Sequence, residues 1–146
     1  MIPVQEINLI PLDKINSPEM AFVMVMEYAA KTKSDPWREF GIAFSAHTNT
    51  ILLVHDNQYI GYCNGEVDRD NNLLLNHGFL RHGVRVDRVD VLMELIFIRM
   101  TDNIVGERPG KMLMHHRGPT RLWERWGFEL SPLKIYEKDM GGIKNG

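Results

Sequence analysis

The sequence predicts an α+β domain built as a mixed, mostly antiparallel sheet with helices on both faces. Three observations predict it. Runs of strand length, alternating or wholly apolar, recur at 4–10, 51–55, 59–67, 73–81, 111–116, 128–130 and 133–138. Helix start signals or helical spacing mark 18–33, 36–46, 86–105 and 118–126. The strand 73–81, the helix and the strand 111–116 form a β-α-β unit, whose strands should lie parallel with a right-handed connection. The order is β-α-α-β-β-β-α-β-α-β-β.

VQEINLI (4–10) alternates apolar and polar as a short strand does. Ser17 is placed to cap a helix, Pro18 fits its first position and Glu19 suits its positive end. Phe22, Val23, Met26 and Ala30 share one side of that helix, which should run to about Lys33. Ser34-Asp35-Pro36 repeats the start signal, and Trp37, Phe40 and Phe44 follow at helical spacing. ILLVHD and YIGYCNGEV read as a hairpin turning at Asn57-Gln58, and 68–72 is a polar turn before LLLNHGFLR. The long helix carries Val89, Leu92, Met93, Ile96, Phe97, Met100 and Ile104 as a stripe. Val91, Leu95 and Ile98 widen it, which implies burial on more than one side. Pro109-Gly110 breaks the chain before KMLMHH, Gly118-Pro119 opens a last helix, and Gly127 is placed to end it.

The 146 residues fit one domain, assigned to 1–140, with 141–146 as a frayed tail. A chain of this size buries roughly 70% of its unfolded surface and needs no disulfide or metal staple. Its one cysteine, Cys63, precludes an internal disulfide and makes a reducing, cytoplasmic compartment the default. Seventeen basic against nineteen acidic residues give no nucleic-acid footprint. AFVMVM and VLMELIFI are far shorter than the ~20 residues of a membrane span, so no membrane association is expected.

Three stretches make the chain resemble the GNAT (amine N-acetyltransferase) superfamily. ILLVHDNQYIGYCNGEV, with its Ile60-Gly61-Tyr62 step, resembles that family's second and third strands. The unit 73–105 takes the place of its cofactor-binding strand and helix, and RLWERWGFEL, with Gly127-Phe128, resembles its late helix. The resemblance implies acetyl-CoA as co-substrate, bound where two parallel strands part and a helix start offers amide groups to the pyrophosphate. It places Phe79, Arg81, Gly83, Arg85, Asp87, Arg88 and Trp123 around that cofactor. The family's glycine-rich loop is reduced here to Gly83, with Asp87 near the anion's place, so Arg85 and Arg88 take over the phosphate contact. Asp87 reads alternatively as a helix cap and Arg88 as a solvated residue. Trp123 stands where the family has an acid tyrosine, and indole N–H is no usable acid near neutral pH.

Amine acetylation needs a base for the ammonium and donors for the thioester carbonyl. Glu66 and His77 are candidate bases, and Tyr136 is a tyrosine that could reach the cleft. Each has a structural alternative: Glu66 as hairpin surface, His77 as a hydrogen-bonded sheet histidine, Tyr136 as a partly buried sheet residue. Gly78 permits a strand bulge that would aim a backbone N–H at the carbonyl. His77, His82, His115 and His116 gather near the ends of the two central strands, but no spacing resembles a zinc motif and no metal is assigned. Trp37, Trp123 and Trp126 read as packing anchors. The expected partner is a small-molecule or protein amine. The alternative is a non-catalytic GNAT-fold interaction protein, such as a bacteriophage internal virion protein, with self-association or virion partners.

Overall fold

The computed structural model describes residues 1–102, 110–115, 129–130 and 135–140. A seven-stranded sheet runs through it in the order β1-β2-β3-β4-β5-β7-β6. The strands are β1 (Asn8–Pro11), β2 (Asn49–His55), β3 (Gln58–Val67), β4 (Leu73–Leu80), β5 (Lys111–His115), β6 (Glu129–Leu130) and β7 (Ile135–Asp139). β4 and β5 pair parallel, as the crossover requires, and every other neighbouring pair is antiparallel. Helix α3 (Val89–Met100) packs on one face with Ile51, Leu53, Leu73, Leu75 and Met112. Helices α1 (Pro18–Thr32) and α2 (Pro36–Ala43) cover the other, over Leu52, Tyr62 and Phe79. The alternation of Ile51, Leu52 and Leu53 between the two clusters shows β2 buried on both sides.

Several local expectations change. Residues 4–6 form a short 3₁₀ turn, and β1 begins only at Asn8. The chain before it is drawn to another loop: Ile2 N–H donates to the Arg85 carbonyl, and Asp87 N–H donates to the Ile2 carbonyl. Ser17 precedes α1, yet its side chain makes no capping bond. The face of α1 is also reversed, because Ala21, Met24, Val25, Tyr28 and Ala29 are buried and Phe22, Val23 and Met26 are exposed. Both sides of α1 are apolar, so periodicity could not choose between them; Ala21 and Ala29 let the helix approach the sheet, and Tyr28 finds ring partners there.

Helix α2 starts as expected, with the Asp35 carboxylate accepting from Trp37 N–H at 3.1 Å. It stops at Ala43 rather than 46, since the Thr48 and Thr50 hydroxyls donate to the Ile42 and Ala43 carbonyls. Trp37 is no packing anchor: it is 81% exposed. The hairpin turn is Asp56-Asn57, both left-handed with φ of 51° and 62°, one residue earlier than expected. At Gly61 a Cβ would collide with the Phe79 carbonyl oxygen, so the β3–β4 approach requires glycine. Helix α3 begins at Val89 and not at 86, because residues 85–87 are held by the N-terminal segment. Leu95 on it stays exposed. The expected helix 118–126 and tail 141–146 lie outside the described residues, as do Trp123, Trp126 and Gly127. Among the described residues no helix is long and apolar enough to cross a membrane.

Candidate functional site

The site begins with a break in regular pairing. On β3 and β4, Asn64 pairs with His77 and the next residue, Gly65, pairs with Leu75. Asn76 is therefore an extra residue, a β-bulge. The expected bulge is thus present in this strand, but at Asn76; Gly78 keeps regular register with Cys63. One inserted residue inverts the side-chain alternation. Before it, Leu73 and Leu75 face α3; after it, His77 and Phe79 face α1 and α2.

At the same point β4 leaves β5. The parallel ladder pairs Leu73, Leu74 and Leu75 with Met112, Leu113 and Met114, and β4 then continues to Leu80 without a β5 partner among the described residues. Gly78 is exposed on this stretch, and a Cβ there would meet nothing within 4 Å among the described residues. Among the described residues this strand edge is open and offers backbone donors and acceptors.

Beyond β4 the chain turns through Gly83, whose φ of 83° is left-handed. Arg81 is tied back to α1 by a 2.7 Å bond from Nη2 to Glu27 Oε1. Asp87 Oδ1 accepts from Val4 N–H at 2.9 Å. Arg85 is exposed. Arg88 sits at the N-cap of α3 without capping it and clasps Asp90 with bonds of 3.1 and 3.0 Å. That clasp, above all its hydrogen bonds, pulls the Asp90 carboxyl down to about 2 and raises the Arg88 guanidinium.

On the α1/α2 face, His77 is 1% exposed and its Nε2 lies 2.5 Å from Oε2 of Glu39, itself 1% exposed. At Nδ1 the ring meets the Tyr62 hydroxyl at 3.0 Å. The Tyr28 ring packs on the imidazole with centroids 4.3 Å apart. Burial, then the nearby Tyr28 and Glu39, push the Tyr62 phenol up, so it remains protonated. Beside this chain, Asn76 Nδ2 donates to Asn64 Oδ1 at 3.0 Å, and Asn64 Nδ2 donates to the Thr48 and Thr50 hydroxyls at 2.9 Å each.

Of the expected site residues, the structure brings Glu66 and His77 to one face of the sheet: Gly65 points at Met100 of α3, so Glu66 shares the side of Tyr62 and Asn64. Glu66 is half-buried opposite Leu74. Phe79 is buried against Tyr28 and Tyr62, with Lys31 Nζ 5.5 Å above its ring. Tyr136 stands on β7 opposite Met114 and Leu130. His82 is exposed, away from the buried His77, His115 ends β5, and His116 lies outside the described residues. Among the described residues no group of three or more His, Cys, Asp or Glu side chains could hold a metal ion.

No protein-family model matches the sequence, and no curated protein does. Solved structures match over almost the whole chain. An acetyltransferase of the GNAT family from Staphylococcus aureus Mu50 superposes with a TM-score of 0.64 at 10% identity, covering 92% of this chain and 99% of that one. The aminoglycoside 6'-N-acetyltransferase from Enterococcus faecium gives 0.65 at 7% identity, over 94% and 99%. The Campylobacter jejuni N-acetyltransferase PseH, in complex with acetyl coenzyme A, gives 0.57 at 11% identity, over 90% and 95%. The chain has the GNAT fold.

Within this GNAT fold the residues that sequence reasoning missed are Glu39, Tyr62, Asn64 and Asn76. The signal for two of them was alternation. On β3, Tyr62 and Asn64 occupy the inward positions of one face within a strand otherwise buried. Glu39 lies one turn from Ala43 on the buried side of α2, while Trp37 and Phe40 drew attention to the other side.

Proposed function

We propose that this GNAT-fold chain is an acyltransferase that moves an acetyl group from acetyl-CoA to an amine of a small molecule or protein. The observation that carries the reading is the parting of β4 from β5 after Leu75 and Met114, with a bulge at the parting and the start of α3 downstream. The residues present fit such a donor. The edge at 76–80 and the space beside Gly78 suit a slender arm that pairs with backbone, and the Gly83 turn suits close approach. Arg85 and Arg88 are the cations for its phosphates, with Arg88 exchanging Asp90 for phosphate oxygens.

When bound, the thioester supplies an acyl carbon whose bond to sulfur is exchanged for a bond to nitrogen. The chain's own groups then have two tasks. Backbone N–H groups of β4 at the bulge polarise the carbonyl, since bulged residues leave the ladder. Glu66 accepts the ammonium proton, being the half-buried carboxylate on the face of the bulge. His77 is too enclosed to touch the acceptor. Calorimetry with acetyl-CoA tests the reading. The expected result is binding that Arg85→Ala with Arg88→Ala weakens at least about tenfold, as lost charge-assisted bonds should, together with thiol release on adding amines. No binding at millimolar acetyl-CoA rejects it.

A second reading, a non-catalytic interaction protein, rests on the outer side of α1 and α2. There Phe22, Met26 and Trp37 are exposed, and Phe22 stacks on Phe44 with centroids 4.6 Å apart. A chain that self-associates and ignores acetyl-CoA would favour it.

A further inference from the structure

The β4 bulge has little backbone pairing to hold it. Among the described residues, Asn76 has no partner in the β3 register and β5 makes no pair with the strand beyond Leu75. Side chains hold it instead. Asn76 is fastened to Asn64, and Asn64 to the Thr48 and Thr50 hydroxyls, which donate in turn to the Ile42 and Ala43 carbonyls at the end of α2. The next residue, His77, is gripped at both ring nitrogens, by Glu39 from α2 and by Tyr62 from β3. Such a chain is costly to bury, and an apolar trio of similar volume would stabilise the fold at least as well. What polar contacts add is direction: a ring hydrogen-bonded at Nδ1 and in close contact with a carboxylate at Nε2 has one orientation, and so does the backbone that carries it.

We infer that Glu39, His77 and Tyr62 form a buried brace that sets the β4 bulge, which makes Glu39 and Tyr62 positioning residues for the donor-binding edge of β4. The inference deepens the acyl-transfer reading and rests on it for the word donor. The brace also makes α2 and β4 one unit, because Glu39 is a residue of α2 and His77 a residue of β4. A shift of α2 therefore reaches the bulge through one close contact, 2.5 Å from Glu39 Oε2 to His77 Nε2.

The test uses the full chain with Glu39→Gln and, separately, Tyr62→Phe, both nearly isosteric. Amide hydrogen exchange is followed in the segments 74–80 and 49–55, and thiol release from acetyl-CoA is measured with an amine. Expected is exchange about tenfold faster at 76–78 with β2 unchanged, as for local opening. In turnover, kcat should fall about tenfold while KM for acetyl-CoA moves less than about threefold, the pattern of an interaction made in the transition state. Unchanged exchange at 76–78 in both variants, or a rise shared equally by 49–55, overturns the brace. Absence of thiol release from the unmutated chain overturns the acyl-transfer reading instead, and the exchange data then decide the brace alone.

Discussion

On the α3 face of the sheet, Leu73, Leu75, Met112 and Met114 meet Leu92, Ile96 and Phe97 in a cluster of apolar residues. On the α1/α2 face, Leu52, Met24 and Val25 share the interior with Tyr62, Asn64, His77, Thr50 and Glu39. Apolar packing is adaptable and non-directional, so the first face resists unfolding without dictating one geometry. The second gives up part of that stabilisation and gains fixed directions, since each buried polar atom accepts only a few placements of its partner. The change of material coincides with the bulge, which turns His77 and Phe79 to the opposite face from Leu75. Even Cys63, on the α3 side, behaves as an apolar filler: burial pushes its thiol up to about 12.

The contrast can be broken by mutation. The largest effect should come from the apolar face: Phe97→Ala, at a residue 2% exposed, is expected to cost about 3–5 kcal/mol. Urea unfolding checks it, and a loss below about 1 kcal/mol would mean that α3 is not a main support. On the polar face, Thr50→Val keeps the shape and removes a hydroxyl that donates to the Ala43 carbonyl and accepts from Asn64. The expected cost is about 1–3 kcal/mol, with the nearest crosspeak changes in a two-dimensional NMR spectrum confined to α2 and Asn64. A variant as stable as the parent would show that this network adds no stability.

The smallest effect concerns the exposed start of α3. Asp90 titrates at about 2 in the folded chain against an ordinary 3.8. A carboxyl with a depressed folded value contributes stability above its unfolded value and loses it as pH falls through about 2. Arg88→Ala removes its main partner, so the Asp90 carboxyl resonance should titrate closer to 3.8. A resonance still near the parent's midpoint would assign the shift to backbone amides.

Much of this was legible along the chain. The order of elements along the chain and the parallel crossover follow from local patterns of apolar residues and breakers: LLLNHGFLR, the stripe from Val89 to Met100, and KMLMH are each short-range signals. The Asp35-Pro36 start of α2 is equally local. Three features were not legible, for one reason. The buried side of α1, the place of the bulge and the partners of His77 each depend on contacts between residues far apart in sequence. Glu39 and His77 are separated by two strands, and Asp87 finds Val4 rather than the helix it precedes. Among the described residues, sequence by itself determined most of the elements and how they connect, because propensity and periodicity act within a few residues. Only the tertiary structure decided which polar groups face one another, since a buried hydrogen bond is a choice made between elements already packed.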